Sequence, residues 1–324
     1  GYVEQALKEL QHAIPKQHYY APSKSTAPVY GQKVQYATVD NSEILTDEMV
    51  TYIRKVTGKF LYNARAIDIT MQHALNDIAA SKKTEDTLKA TKHFLNYAAS
   101  NPNGKLIYRK SDMILQGDSD AAYLVCPEAR SRLGGYLFLG NTARTQFNGA
   151  ILLLARVIKN VMASAAEAEL GALYTNAQEI LPMRQCLAEL GHEQPATPIK
   201  TDNSTAHGIV TNTIKQKRSK AMDMRFYWLR DRTMQKQFHI YWEPGQHNLA
   251  DLPTKHHPGN HHKRLRPIYV YEQSRSPVSI QGCIKLLSRP CKTGADNPIK
   301  SRPTDTYIAH LCQFSHSLNQ LRRD

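Results

Sequence analysis

The order of hydrophobic patterns along the chain predicts an α/β fold. We expect a mixed five-stranded sheet with helices on its faces, preceded by a small helical segment and followed by a basic, disordered tail. Three observations carry this expectation. Residues 48–104 place apolar side chains at helical spacing and end in the turn-forming Asn101-Pro-Asn-Gly104. Beyond that turn the period falls to that of strands, in runs grouped ahead of one long amphipathic stretch. Two further strand-like runs then alternate with helical ones.

Residues 1–47 open with a short helical pattern, Val3 to Leu10, and continue as a Pro, Tyr and Ser-rich extended segment. Thr46 or Asp47 caps the next helix, which carries Met49, Ile53, Val56, Phe60 and Leu61. Helices are also expected over 69–80 and 84–98. Lys105–Arg109 and Met113–Gly117 read as strands, Gly134–Leu139 as another and Ala150–Ala155 as a third. The paired glycines Gly134 and Gly135 suit a hairpin or a close backbone approach. A long helix over 165–190, with a break expected near Pro182, leads to a short strand over 197–201 and a helix over 203–211. A helix over 219–235, a strand over 238–242 and a helical turn over 249–255 complete the unit, which spans 105–257. Residues 258–324 hold six of the sixteen prolines and 11 Lys or Arg against 4 Asp or Glu, a local net charge of +7. Weak periodicity and excess charge predict disorder there.

The whole chain of 324 residues carries a formal net charge of +14, which suits a polyanionic partner. Its five cysteines lie scattered with no C-x-x-C pair, against a zinc ribbon or a disulfide framework and in keeping with a reducing compartment. No apolar run approaches the roughly 18–20 residues of a membrane span. The chain starts at Gly1 without a signal-peptide pattern, as a fragment or a processed piece would.

Four acids stand in separate settings: Asp120 and Asp202 near strand ends, Glu169 and Asp251 on helical runs. Carboxylates from separate elements of one α/β unit suit a pair of hard divalent cations of the kind that cleave phosphodiesters. Near neighbours compete. Asp118 lies on the same strand face as Asp120, and Glu167 sits two residues before Glu169 in a helix start that favours acids anyway. Asp202 alone also reads as a helix cap, although Asn203 can take that role.

The motifs in order resemble the ribonuclease H region of copia-type retrotransposon polyproteins. They are Ser119-Asp120-Ala121, Gly135-Tyr136, Ser164 to Glu169, Asp202-Asn203, Arg218 to Tyr227, and Ala250 to Lys255. Upstream, Val56 to Arg65, Asp68 and Ala90 to Ala98 resemble the segment joining reverse transcriptase to ribonuclease H. Ala221 departs from the family's usual His, and Leu170 from its frequent Tyr. No Tyr-x-Asp-Asp palm motif occurs, so the polymerase site is expected outside this chain.

The resemblance implies a ribonuclease H-like sheet over 105–257, with 1–47 as the end of the reverse transcriptase region and 48–104 as a helical connection. It implies endonucleolytic cleavage of the RNA strand of RNA–DNA hybrids with two Mg2+ ions, or Mn2+, held by Asp120, Glu169, Asp202 and Asp251. One ion would activate water and the other would stabilise the 3′ leaving oxygen. It also implies an intracellular setting, in a virus-like particle or the nucleus. Asn203 and Ser204 are candidates for ribose hydroxyls, and Lys215, Lys217, Arg218, Lys220 and Arg225 for the hybrid backbone. A solvated helix face explains part of that basic stretch. His247 is a candidate catalytic histidine or a loop residue. The run His256-His257-Pro-Gly-Asn-His261-His262 invites a zinc reading, but has no cysteine and no regular ligand spacing, so no metal is assigned to it. Two other readings stay open: a catalytically inactive nucleic-acid-binding remnant, and a module that only tethers a polymerase.

Overall fold

A computed structural model of the chain describes residues 1–25, 37, 39–144, 147–212 and 223–271. The first helices are α1 (Tyr2–Glu9), α2 (Asp47–Ala66), α3 (Gln72–Ala80) and α4 (Glu85–Ser100). Thr46 is the N-cap of α2, and Thr84 caps α4 by accepting the Thr87 N–H. The expected helix over 69–80 starts as a 3-10 turn, Ile69–Met71, because Asp68 caps Thr70 one step before α3. Ile53, Val56, Phe60, Leu75, Phe94 and Leu95 are fully buried between these helices and form their own core.

The sheet comprises β1 (Ile114–Cys126), β2 (Arg130–Gly140), β3 (Ala150–Val157), β4 (Thr197–Thr201) and β5 (Phe238–Trp242). Its order is β3-β2-β1-β4-β5. The first three strands are antiparallel, and β4 and β5 join in parallel, as their helical crossovers require. Helices α5 (Ala165–Glu189), α6 (Ser204–Val210) and α7 (Asp223–Met234) pack against the sheet, burying Leu115, Leu137, Leu173, Ile180, Ile199 and Leu229. This is the mixed five-stranded sheet with flanking helices read from the sequence.

Several local expectations change. Lys105–Arg109 is no strand. Lys105 makes a single bridge to Tyr271, and the Arg109 N–H donates to Asn148 Oδ1 at 2.8 Å instead of joining the sheet. The first strand is instead longer than its apolar run, because the β2 hairpin pairs it through Ala122. Helix α5 runs unbroken through Pro182, held by Ile180 and Leu187 in the core.

The reading of 258–324 as a disordered tail is corrected for its first part. Residues Gly259–Tyr269 form α8, which buries His262, Arg266 and Tyr269. Arg266 Nη1 lies 2.8 Å from Asp68 Oδ2 and donates to Thr70 Oγ1 and Tyr97 Oη. A buried cation needs such partners, and they come from a segment far away in sequence. Residues 272–324 lie outside the described residues. No helix among the described residues is long and apolar enough to cross a membrane.

Candidate active site

Strands β1 and β4 run parallel with Asp118 opposite Lys200. Residues two apart share a strand face, so Asp120 and Asp202 follow on the same side, Asp202 from the loop immediately after β4. Glu169, in the second turn of α5, accepts the Ala121 N–H through Oε1 at 3.1 Å. Its Oε2 is buried with no hydrogen-bond partner among the described residues. Carboxylate oxygens of Asp120, Glu169 and Asp202 all lie within 4.8 Å of one another.

Asp251 enters from the loop after β5. That loop is fastened to β1 at two points: the Leu249 N–H donates to Asp118 Oδ2, and Asn248 Nδ2 donates to the Ser119 carbonyl, each at 2.9 Å. Asp251 is not in mutual contact with the other three acids. The Lys255 ammonium stands between them, bonded to Asp251 Oδ1 and 3.9 Å from Asp120 Oδ2. Thr254 Oγ1 donates to Asp120 from the same turn.

Both rival acids have other partners. Asp118 is buried against Lys200 Nζ at 2.7 Å as well as the Leu249 N–H. Glu167 accepts the Ala163 N–H at 2.6 Å, closing a cap with Ser164.

The electrostatics match a cluster of acids that the one ammonium of Lys255 only partly neutralises. Burial, with Asp120 and Asp202 nearby, pushes the Glu169 pKa up to about 9. Burial raises that of Asp120 to about 6, with Lys255 opposing the shift and Asp251 adding to it. Asp202 is raised as well, chiefly by burial. Burial disfavours the Lys255 charge, but Asp120, Asp251 and Asp202 outweigh it and raise its pKa. Hard oxygen donors crowded out of water, one with an orphaned oxygen, form a donor set that fits divalent cations.

Around this centre, Asn203 caps α6 by accepting the Ala206 N–H at 2.9 Å, which leaves Asp202 without a capping bond of that kind. Ser204 is exposed, and the Arg225 guanidinium lies 5.7 Å from the centroid of the Tyr174 ring. Lys215, Lys217, Arg218 and Lys220 lie outside the described residues. His247 sits in a 3-10 turn, its ring against Gln246 and its carbonyl accepting from Lys200 at 2.7 Å. The Lys200–Asp118 pair and the fastening of the Asp251 loop were not read from the sequence. Their only local signal was an acid two residues before Asp120 on the same face.

No family model matches the chain. It is 29% identical over 172 residues to the Retrovirus-related Pol polyprotein from transposon TNT 1-94 of Nicotiana tabacum, covering 53% of this chain and 12% of that protein. The chain thus spans a small part of that relative's length. Among solved structures, LC11-RNase H1, isolated from compost by a metagenomic approach, is 13% identical with a TM-score of 0.34, covering 44% of this chain and 92% of that one. The same enzyme in complex with an RNA/DNA hybrid gives 13% identity and a TM-score of 0.33, covering 42% and 91%. The chain is therefore similar, over about half its length, to part of a retrotransposon Pol polyprotein, and its mixed five-stranded sheet with flanking helices is the architecture expected from the sequence.

Proposed function

We propose that this chain cleaves the RNA strand of RNA–DNA hybrids with divalent metal ions, Mg2+ foremost, as one part of a copia-type polyprotein whose reverse transcriptase palm lies outside it. The observation that carries the reading is the meeting of Asp120, Glu169 and Asp202 within 4.8 Å, the first two buried and Asp202 half-buried, all with raised pKa values. The name of the tobacco relative, a Pol polyprotein, supports the setting. The hybrid bound by LC11-RNase H1 belongs to that protein; here the substrate class rests on the sequence motifs.

Asp120, Glu169, Asp202 and Asp251 would hold the ions, which supply Lewis acidity to the phosphate and to water. The rest falls to the chain's own groups. Glu169 and Asp120 release protons to become ligands. Lys255 neutralises Asp120 and Asp251 and must turn aside from them as cations arrive. Lys200 and Asp118 hold the Asp251 loop against β1. Asn203 and Ser204 meet ribose hydroxyls, and Arg225 with the basic stretch Lys215, Lys217, Arg218 and Lys220 meets phosphates.

The test is cleavage of a labelled RNA–DNA hybrid in Mg2+ by the wild type and by Asp202→Asn, with hybrid binding measured in parallel. Loss of cleavage with binding retained in the variant is the expected result. Binding without cleavage by the wild type would replace this reading with that of a nucleic-acid-binding remnant. Cleavage unchanged in Asp202→Asn would remove the acids from the mechanism.

A further inference from the structure

The histidine run that follows the last acid has no part in the proposed reaction, and its members diverge in the fold. His256 stacks on His73 with ring centroids 4.0 Å apart and bonds to Asp77 at 2.7 Å. Arg132 also bonds to Asp77, so that cluster is already neutralised. His262 packs edge-on against Tyr97. His257 and His261 instead converge on Asp251, and one ligand atom from each of the three residues lies within 4.8 Å of the others.

The spacing suits a particular class of ion. His257 Nε2 is 3.4 Å from Asp251 Oδ2, and the two imidazole centroids are 4.9 Å apart. Ligands about 2.0–2.1 Å from a tetrahedral ion are about 3.4 Å from each other. The His257–Asp251 pair already has that separation, and a ligand nitrogen of His261 lies within 4.8 Å of a ligand atom of each. Backbone holds the second histidine in place: Pro258 caps α8, and His261 lies in its first turn. Two imidazoles and one carboxylate favour Zn2+ over Mg2+, with water as a fourth ligand. Three contacts oppose binding, the first being the 3.2 Å approach of His257 Nε2 to the Asp251 carbonyl, which an N–H at that nitrogen would donate to. Exposed Arg264 donates to His261 Nδ1 at 3.0 Å and can turn to solvent. Lys255, on the other oxygen of Asp251, repels a further cation.

We propose that Asp251, His257 and His261 form a binding site for a borderline divalent cation of the Zn2+ class, and that its occupation holds Asp251 away from Asp120, Glu169 and Asp202. The first half stands on this geometry alone. The second rests on the reading of Asp251 as a ligand for the hydrolytic ions, and it makes Zn2+ an inhibitor of Mg2+-supported cleavage.

The full chain titrated with Co2+, a visible-absorbing substitute for Zn2+, tests the first half. Intense absorption of a tetrahedral, histidine-bound ion should develop with one equivalent and disappear on adding Zn2+. His261→Ala should weaken binding by at least about tenfold, with an unchanged far-ultraviolet circular dichroism spectrum. Asp120→Asn should leave the absorption intact. Unchanged Co2+ binding in His261→Ala, or loss of the absorption in Asp120→Asn, would overturn the site. For the second half, Zn2+ should inhibit hybrid cleavage by the wild type in Mg2+, and His261→Ala should keep its cleavage and resist Zn2+ by a similar factor. Equal inhibition of both proteins would overturn the coupling. A wild type that never cleaves hybrids would refute the hydrolytic reading and this inhibitory role with it, while the Co2+ titration would still decide the site.

Discussion

Glu169 and Asp120 are the residues whose titration sets the behaviour of the metal-free protein. Their pKa values in the fold, about 9 and about 6, lie above the ordinary carboxylate range because burial and neighbouring acids disfavour the charge. The folded state therefore holds these protons more tightly than the unfolded chain does. Their stabilising contribution is complete below the ordinary carboxylate pKa and is lost as pH rises through about 6 for Asp120 and about 9 for Glu169. Glu169→Gln keeps a neutral side chain at every pH. Thermal melts in chelator should show it more stable than wild type by about 1–3 kcal/mol at alkaline pH, with a flatter pH dependence and no hybrid cleavage. With these acids as the proposed Mg2+ ligands, the same protonation makes metal binding pH-dependent. Apparent affinity should rise between about pH 6 and 9, with proton release visible by calorimetry in buffers of different ionisation enthalpy. Equal affinity across that range would count against these acids as ligands.

At the scale of elements, two close approaches hold the acids in position. In β2, Gly134 lies opposite Asp120 and Gly135 opposite Ser119. A Cβ on Gly135 would overlap the Asn176 side chain, which is buried and donates to Ser119 Oγ and the Gly134 carbonyl. Gly135→Ala should cost about 2–3 kcal/mol in denaturant unfolding, through overpacking and disruption of that network. In the loop after β5, a Cβ on Gly245 would run into Asp202 Oδ2. Gly245→Ala should change stability by less than about 0.5 kcal/mol. Displacing a carboxylate of the proposed metal site should nevertheless lower hybrid cleavage by up to about 100-fold. Cleavage at the wild-type rate would show that Asp202 does not need its present position.

For the whole molecule, α8 joins the helical segment to the five-stranded sheet. The buried Arg266 bonds to Asp68, Thr70 and Tyr97 from the helical segment, while Tyr269 on the same helix donates to the Leu249 carbonyl in the Asp251 loop. The Asp77–Arg132 pair and the Gln72–Leu153 hydrogen bond tie the same two regions together. Removing one partner of a buried ion pair leaves the other charge uncompensated. Arg266→Ala should therefore cost about 3–5 kcal/mol and lower the melting temperature of both regions together. Separate transitions, with only the helical segment destabilised, would show that the two regions fold independently.

The alternation of helical and strand periods was enough to give the mixed sheet, because amphipathic period is a local property of the chain. The paired glycines of β2 were legible for the same reason, and so were the four acids, each standing in its own short motif. Which acids meet was a different kind of question. The parallel register of β1 and β4 brings Asp120 and Asp202 together across some eighty residues of chain, and Asp118 found its partners in Lys200 and the Leu249 N–H. Burial, which raises the Glu169 and Asp120 pKa values, exists only once the core has closed. The Lys255 ammonium among the acids, the convergence of His257 and His261 on Asp251, and the anchoring of α8 by Asp68 likewise depend on long-range packing. The sequence determined the type and order of the four acids and the elements that carry them. The tertiary structure decided their distances, their charge states and which neighbours were already taken, because those depend on groups far apart in the chain.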